Sequence, residues 1–252
     1  MNSGFNKPRF ENSLTMSQQV LRPVAVQRHF TNKTPGSVLY RCGDTVVLCT
    51  ASLEERVPDW MVGKGKGWIT AEYNMLPGST SPRKSRERAG KVDGRTTEIQ
   101  RLIGRSFRAV ADLQKLGERS LTIDCDVLQA DGGTRTAAIT GGFIALVDAV
   151  NSVFADVPRE QYPLRSSVAA ISVGIVHGVP ALDLDYAKDV IADVDMNVVM
   201  TGSGRFIEIQ GTGEEATFDD AELGSLLSLA KQGIQSLTKV QKEALGSGWR
   251  FD

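Results

Sequence analysis

Along the chain, apolar residues recur first at a period of two, then at about 3.6, and the same succession returns once. A period of two marks a half-buried strand and a period near 3.6 a helix with one apolar face. The opening therefore reads as strands: 22–30, then 37–40 and 45–51 flanking a Gly43-Asp44 turn, which is a hairpin signal. Trp68–Met75 is a further strand, after a connector carrying Gly63, Gly65 and Gly67. Ile99, Leu102, Ile103, Phe107 and Val110 then fall on one helical face, with Arg101, Arg105 and Arg108 striping another, and Gly117 ends the unit. Leu121, Ile123, Cys125 and Val127 alternate with polar residues, which puts Asp124 and Asp126 on the opposite face of a strand. A second helix is expected over about 136–153, with Ile139, Phe143, Leu146, Val147 and Val150 inward.

Beyond it the order loosely repeats. Strands are expected at Val168–Val176 and 181–184, then an acidic connector, strands at 196–200 and 206–210, and a last helix burying Leu223, Leu226, Leu227, Ala230, Ile234 and Leu237. Two sheet-then-helix blocks predict an α+β domain over 21–245 with two related halves, about 21–155 and 156–245. Residues 1–20 read as a polar leader and the closing GSGWRFD, 246–252, as a loose tail. Residues 77–94 carry Pro, Gly, Ser and charges without apolar periodicity, so a long basic loop is expected there. No stretch approaches the roughly 18 apolar residues of a membrane span, and the leader has no apolar h-region. Neither a membrane partner nor a secretory signal is expected.

Composition sharpens this only in places. At 252 residues, 41% hydrophobic and 23% charged, the chain can bury a substantial core. Cys42, Cys49 and Cys125 form no C-x-x-C pair, and with only two histidines a zinc site or disulfide framework is not expected. A reducing, cytoplasmic setting is the corresponding expectation. His29 and His177 sit in strand contexts and read as structural. The net charge of −1 conceals a strong asymmetry. Between Arg83 and Arg108 nine basic residues face only Glu87, Asp93 and Glu98; between Ala181 and Leu223 eleven acidic residues face only Lys188 and Arg205. Each block reads either as a solvated face or as half of a site, basic for phosphates and acidic for a metal.

The motifs inside the blocks bear on that choice. Asp131-Gly132-Gly133-Thr134-Arg135-Thr136 lies between a strand and a helix. Two glycines allow close backbone approach, and the free amides at a helix start favour an anion. Thr134 adds a hydroxyl and Arg135 a fork of donors suited to phosphate oxygens, although a simple turn with a threonine cap is an equal reading. No G-x-x-x-x-G-K-[ST] loop occurs, and Gly211-x-Gly213-x-x-Ala216 reads as a loop rather than a dinucleotide fingerprint. Asp183, Asp185, Asp189, Asp193 and Asp195 gather carboxylates in one segment, as a Mg²⁺ site shared with substrate phosphates requires; an acidic exposed turn is the rival reading. Arg83, Lys84, Arg86, Arg88, Lys91 and Arg95 suit a nucleic-acid backbone.

In order, GDTVVLCTAS, GWITAEYNMLP, GRTTEIQRLIGR, IDCDVLQADGGTRTAAITG, LDLDYAKD and DVDMNVVMTG resemble the ribonuclease PH family from about Leu21 to Leu245. The resemblance implies a ribonuclease PH-type core with left-handed βαβ units and a homo-hexameric ring, built as a trimer of dimers. It also implies a phosphorolytic 3′→5′ exoribonuclease, with tRNA 3′ ends as chief partner, inorganic phosphate as co-substrate and Mg²⁺ as cofactor. Its phosphate site would fall on Arg95, Gly133, Thr134 and Arg135, its essential acidic pair on Asp189 and Asp195 as catalytic groups and metal ligands, and its RNA-engaging arginines on Arg83 and Arg86. Two departures stand out. An Arg-Pro-x-Gly-Arg segment usual near the start is replaced by a longer leader containing Met16, an alternative start, and Gly78 stands where an arginine is usual. Two other classes fit parts of the pattern: a non-catalytic RNA-binding ring subunit and a small-molecule kinase.

Overall fold

The computed structural model describes residues 19–86 and 93–251. The leader through residue 18, with Met16, and residues 87–92, with Arg88 and Lys91 of the basic block, lie outside the described residues.

Two sheets enclose a central helix. The first contains β1 (Val24–Arg28), β2 (Gly36–Cys42), β3 (Thr45–Glu54), β4 (Trp68–Met75) and β5 (Ser120–Gln129) in the order β1-β2-β3-β5-β4. β4 and β5 run parallel and are joined through α1 (Gly94–Val110), a βαβ unit, whereas the other neighbours are antiparallel. The hairpin expected at Gly43-Asp44 closes β2 onto β3, with Gly43 at φ 56°. The second sheet, antiparallel throughout, orders β7 (Val179–Leu182), β6 (Val168–Val176), β8 (Ala192–Thr201) and β9 (Phe206–Gly213). A one-turn α2 (Leu113–Leu116), ended by Gly117 at φ 68°, precedes β5.

The central helix is α3 (Thr134–Phe154). It packs on β2, β3 and β5 from one side and on β6 from the other. Ala137 to Val150 is an unbroken run of buried residues. This corrects the expectation that no segment approaches a membrane span: α3 is long and apolar enough by composition, but its apolar surface is buried inside the protein. A helix apolar on all sides is one that is covered on all sides. α5 (Asp220–Leu245) covers the far face of the second sheet. Leu226, Leu229, Ala230, Ile234 and Leu237 pack there on Ile171 and Val173 of β6 and on Met196 and Val198 of β8. Its start carries a capping box between Asp219 and Glu222.

Four segments depart from the sequence reading. The GSGWRFD tail is docked, not loose: Phe251 is buried against Phe143, Tyr162 and Trp249, and Arg250 donates to the carbonyls of Phe154 at 2.8 Å and Val157 at 2.6 Å. Two aromatic rings in seven residues gave it enough apolar area to anchor. His29 and His177 occupy left-handed turns just beyond β1 and β6, at φ 54° and 52°, rather than strands. Gly211 and Gly213 lie within β9, not in a loop.

Candidate active site

Sheet register lays down the floor. Asp195 and Asn197 stand two residues apart on β8 and so share a face. Pairing sets Ser172 of β6 and Gln210 of β9 beside Asn197, and Thr212 beside Asp195. The first turn of α3 meets this polar row: Arg135 Nη1 donates to Gln210 Oε1 at 2.6 Å. Between them opens a cavity of about 510 Å³, lined by Arg95, Gly132 to Arg135, Ser172, Tyr186, Asp189, Asp195 and Asn197, with Met75 and Thr80 to Pro82 at its rim.

One wall is the segment entering α3. Gly132 and Gly133 adopt φ of 70° and 64°, which glycine alone reaches without strain. A Cβ on Gly132 would stand 2.5 Å from the Leu184 carbonyl oxygen and 2.8 Å from the Tyr186 nitrogen, so glycine lets this loop press against the backbone of the second sheet's connector. No side chain caps the α3 N-terminus, which leaves its amides to an anion. The buried Tyr73 hydroxyl donates to Thr134 Oγ1 at 2.9 Å, freeing the threonine's own proton for a ligand. Burial holds Tyr73 above its ordinary pKa, in its donor form. Arg135 is aimed by Gln210 and by a 3.4 Å ion pair with Glu98. Arg95 reaches the cavity from the first turn of α1, which Asp93 caps by accepting from the Thr96 amide at 2.6 Å.

The opposite wall is acidic. Asp189, on α4 (Tyr186–Ile191), is exposed and Asp195 half-buried, and neither forms an ion pair among the described residues. Desolvation weakens the acidity of both, and the charge of Asp195 raises Asp189 further; Arg95 and Arg135 across the cavity pull the other way on each, while Glu214 adds to the negative field. The other three aspartates of the expected cluster are elsewhere. Asp183 is buried at φ 55° in an ion pair with Arg22, Asp185 caps α4 through the Lys188 amide at 2.9 Å, and Asp193 sits at a register shift beside the β6–β7 turn. A bulge there breaks the alternation that would have set Asp193 beside Asp195. Two carboxylates with no direct ion pair among the described residues fit a hard cation that completes its shell from substrate phosphates. No three-residue His, Cys, Asp or Glu cage exists among the described residues.

Arg22, invisible as a site residue in the sequence, ties the walls together. Its guanidinium donates to both carboxylate oxygens of Asp183, at 2.9 and 2.7 Å, and to the Asp131 carbonyl at 2.6 Å. Thr45 helps by donating to the Gly132 carbonyl at 2.7 Å and accepting from the Asp131 amide at 3.0 Å. Ser172, Asn197 and Gln210 were also missed; only cross-strand register, which no local pattern reveals, brings them here. Arg83 and Arg86 follow Pro82 on the rim loop, exposed and off the cavity lining. A side chain at Gly78 would meet nothing within 4 Å.

Known proteins resemble this chain along most of its length. The 3′ exoribonuclease family matches in two parts, its domain 1 at residues 20–151 and its domain 2 at 166–233. A ribonuclease PH from Rhodopirellula baltica is 66% identical over 231 residues, covering 89% of this chain and 94% of that protein. One from Neisseria meningitidis serogroup C is 57% identical over 228 residues, covering 90% and 94%. Among solved structures, rice Rrp46 superposes with a TM-score of 0.73 at 17% identity, over 90% of this chain and 97% of that one. An Archaeoglobus fulgidus exosome chain, solved with RNA bound to its active site, gives 0.73 at 18% identity, over 90% and 96%. At such identities these two speak to fold alone.

Proposed function

This chain belongs to the 3′ exoribonuclease family that includes ribonuclease PH, and on that premise we propose that its cavity is where inorganic phosphate meets the 3′ end of RNA. The protein is a phosphate-dependent 3′→5′ exoribonuclease and nucleotidyltransferase, and tRNA 3′ ends are its expected substrates. The observation that carries the reading is the pairing of an anion-binding wall with an acidic wall across one cavity of about 510 Å³.

Phosphate would rest on the α3 amides at Gly133 and Thr134, the Thr134 hydroxyl, Arg135 and Arg95. A phosphate oxygen attacks the last phosphodiester phosphorus, the bond to the 3′ oxygen of the preceding nucleotide breaks, and that oxygen takes up a proton carried in by hydrogen phosphate. The products are a nucleoside diphosphate and an RNA one residue shorter. The chain supplies position and charge rather than a covalent intermediate. Asp189 and Asp195 would hold Mg²⁺, which when bound offsets charge on the scissile phosphate and the leaving oxygen. Arg83 and Arg86, exposed on the rim, suit the RNA backbone farther from the cut. The same groups serve the reverse addition of nucleotides from diphosphates.

The test is a tRNA with extra 3′ nucleotides, incubated with Mg²⁺ and the protein, with and without inorganic phosphate. Phosphate-dependent shortening with release of nucleoside diphosphates is expected; shortening that ignores phosphate, or releases monophosphates, overturns phosphorolysis. We further propose a homo-hexamer, supported by the exposed Val190 and Ile191 on α4 and Phe206 and Ile209 on β9. Light scattering should give six times the 27.3 kDa chain mass.

A further inference from the structure

Phosphorolysis as derived leaves one prominent group of the cavity unused. Tyr186 opens α4 three residues before Asp189, lines the cavity and is nevertheless 63% exposed. Its position is fixed while its ring is left in solvent. The Tyr186 amide points to Asp131 Oδ1 at 3.4 Å, Asp185 caps the same turn, and the Gly132 backbone packs against the Tyr186 nitrogen. An aromatic ring held in water on a rigid support is characteristic of a surface that stacks on a ligand.

The cavity lining divides by chemistry. Arg95, Gly132 to Arg135, Ser172, Asp189, Asp195 and Asn197 supply charge and hydrogen bonds; Met75, Pro82, Ala130 and the Tyr186 ring supply the apolar part. A ligand matching both has phosphates at one end and a flat apolar body at the other, as a nucleotide does. We propose that Tyr186 is the stacking platform for a nucleobase at the 3′ end of the RNA, and that this contact sets RNA affinity without selecting among bases. Every base offers a π face, so stacking tolerates any sequence, as stepwise removal of successive nucleotides requires. The proposal rests on the reading that the RNA 3′ end occupies this cavity.

The test measures steady-state phosphorolysis by the full-length protein with Mg²⁺ and phosphate. It uses one RNA with all its bases and two others abasic at the terminal or the penultimate nucleotide. Tyr186→Ala should raise the KM for the intact RNA roughly 5- to 150-fold, the equivalent of about 1–3 kcal/mol per stacked base, and leave the KM for phosphate unchanged. Tyr186→Phe should restore the RNA KM, because the ring and not the hydroxyl makes the contact. On one of the abasic RNAs wild type and Tyr186→Ala should converge. An unchanged RNA KM, or a deficit that persists on both abasic RNAs, overturns the proposal. So does a smaller particle for Tyr186→Ala in gel filtration, which would make Tyr186, with Val190 one turn on, a subunit contact. If the wild type shortens no RNA at all, the underlying reading fails instead. Equilibrium binding of the intact and abasic RNAs to wild type and Tyr186→Ala then still decides whether the ring stacks.

Discussion

The two walls of the cavity are built on opposite plans. On the wall leading into α3 each group is already held: Thr134 by Tyr73, Arg135 by Gln210 and Glu98, the loop backbone by Thr45 and Arg22. On the wall formed by α4 and β8, Asp189 lies in the field of Asp195, neither forms an ion pair among the described residues, and desolvation raises both against the pull of Arg95 and Arg135. The first wall is preorganised, so it can receive phosphate with little rearrangement; the second holds negative charge that the arginines offset only from across the cavity and that a cation would relieve. Binding free energy therefore resides in different places on the two sides, and the walls can be taken apart separately.

The largest effect is expected from the acidic wall. Asp195→Asn should lower kcat by about a hundredfold or more, the scale for removing one transition-state electrostatic group, with RNA affinity retained in gel shift. Near-normal turnover would remove Asp195 from the metal role. Arg135→Ala should raise the phosphate KM at least about tenfold, since a charge-assisted hydrogen bond is worth about 1.5–3 kcal/mol, with RNA binding unaffected. If the two variants show the same pattern of phosphate and RNA constants, the division of labour between walls is wrong.

The tie between the walls should fail next, in stability as well as in rate. Arg22 and Asp183 are both largely buried, with side-chain exposures of 12% and 3%. Arg22→Met leaves the Asp183 charge unpaired, and breaking a buried pair in this way costs about 3–5 kcal/mol. Pairing it with Asp183→Leu should recover much of the melting temperature but not the phosphate KM, if the tie also aims the loop. Full recovery of both would make the pair purely structural.

The smallest effect concerns the support of Arg95. Asp93→Ala removes the α1 cap at a cost of about 1 kcal/mol. The Thr96 amide and Lys84 hold the Asp93 carboxyl down at about 2, below its ordinary value. Its contribution is therefore complete above the unfolded carboxylate range and is lost as pH falls toward 2. Wild type and variant should differ in urea midpoint at pH 7 and converge in acid; a gap that stays constant with pH would assign the loss to something other than the carboxylate.

The apolar pattern was sufficient for most elements: Trp68–Met75, which buries one face, and Val168–Val176, a continuous apolar run buried on both, stand at their expected bounds. It failed where burial came from outside the local pattern. α3 is apolar on every side because two sheets flank it, and Phe251 anchors a tail that composition alone reads as loose. The site was legible to a similar degree. The Asp131 to Arg135 segment was marked by motif, whereas spacing alone could not sort the five close aspartates and only the family resemblance singled out Asp189 and Asp195.

By itself, then, the chain determined its strands and helices, its family, and the residue types that bring phosphate and acid chemistry into one protein. Those properties follow from local periodicity and from motifs contiguous in sequence. Only the tertiary structure decided that Asp185 and Asp193 turn to other tasks, that Arg22 and Asp183 lock across 161 positions, and that Gln210 aims Arg135. Such outcomes depend on strand register, on a bulge at Asp193 and on a glycine contact between distant backbones, and none of these leaves a periodic trace in the residues that make them.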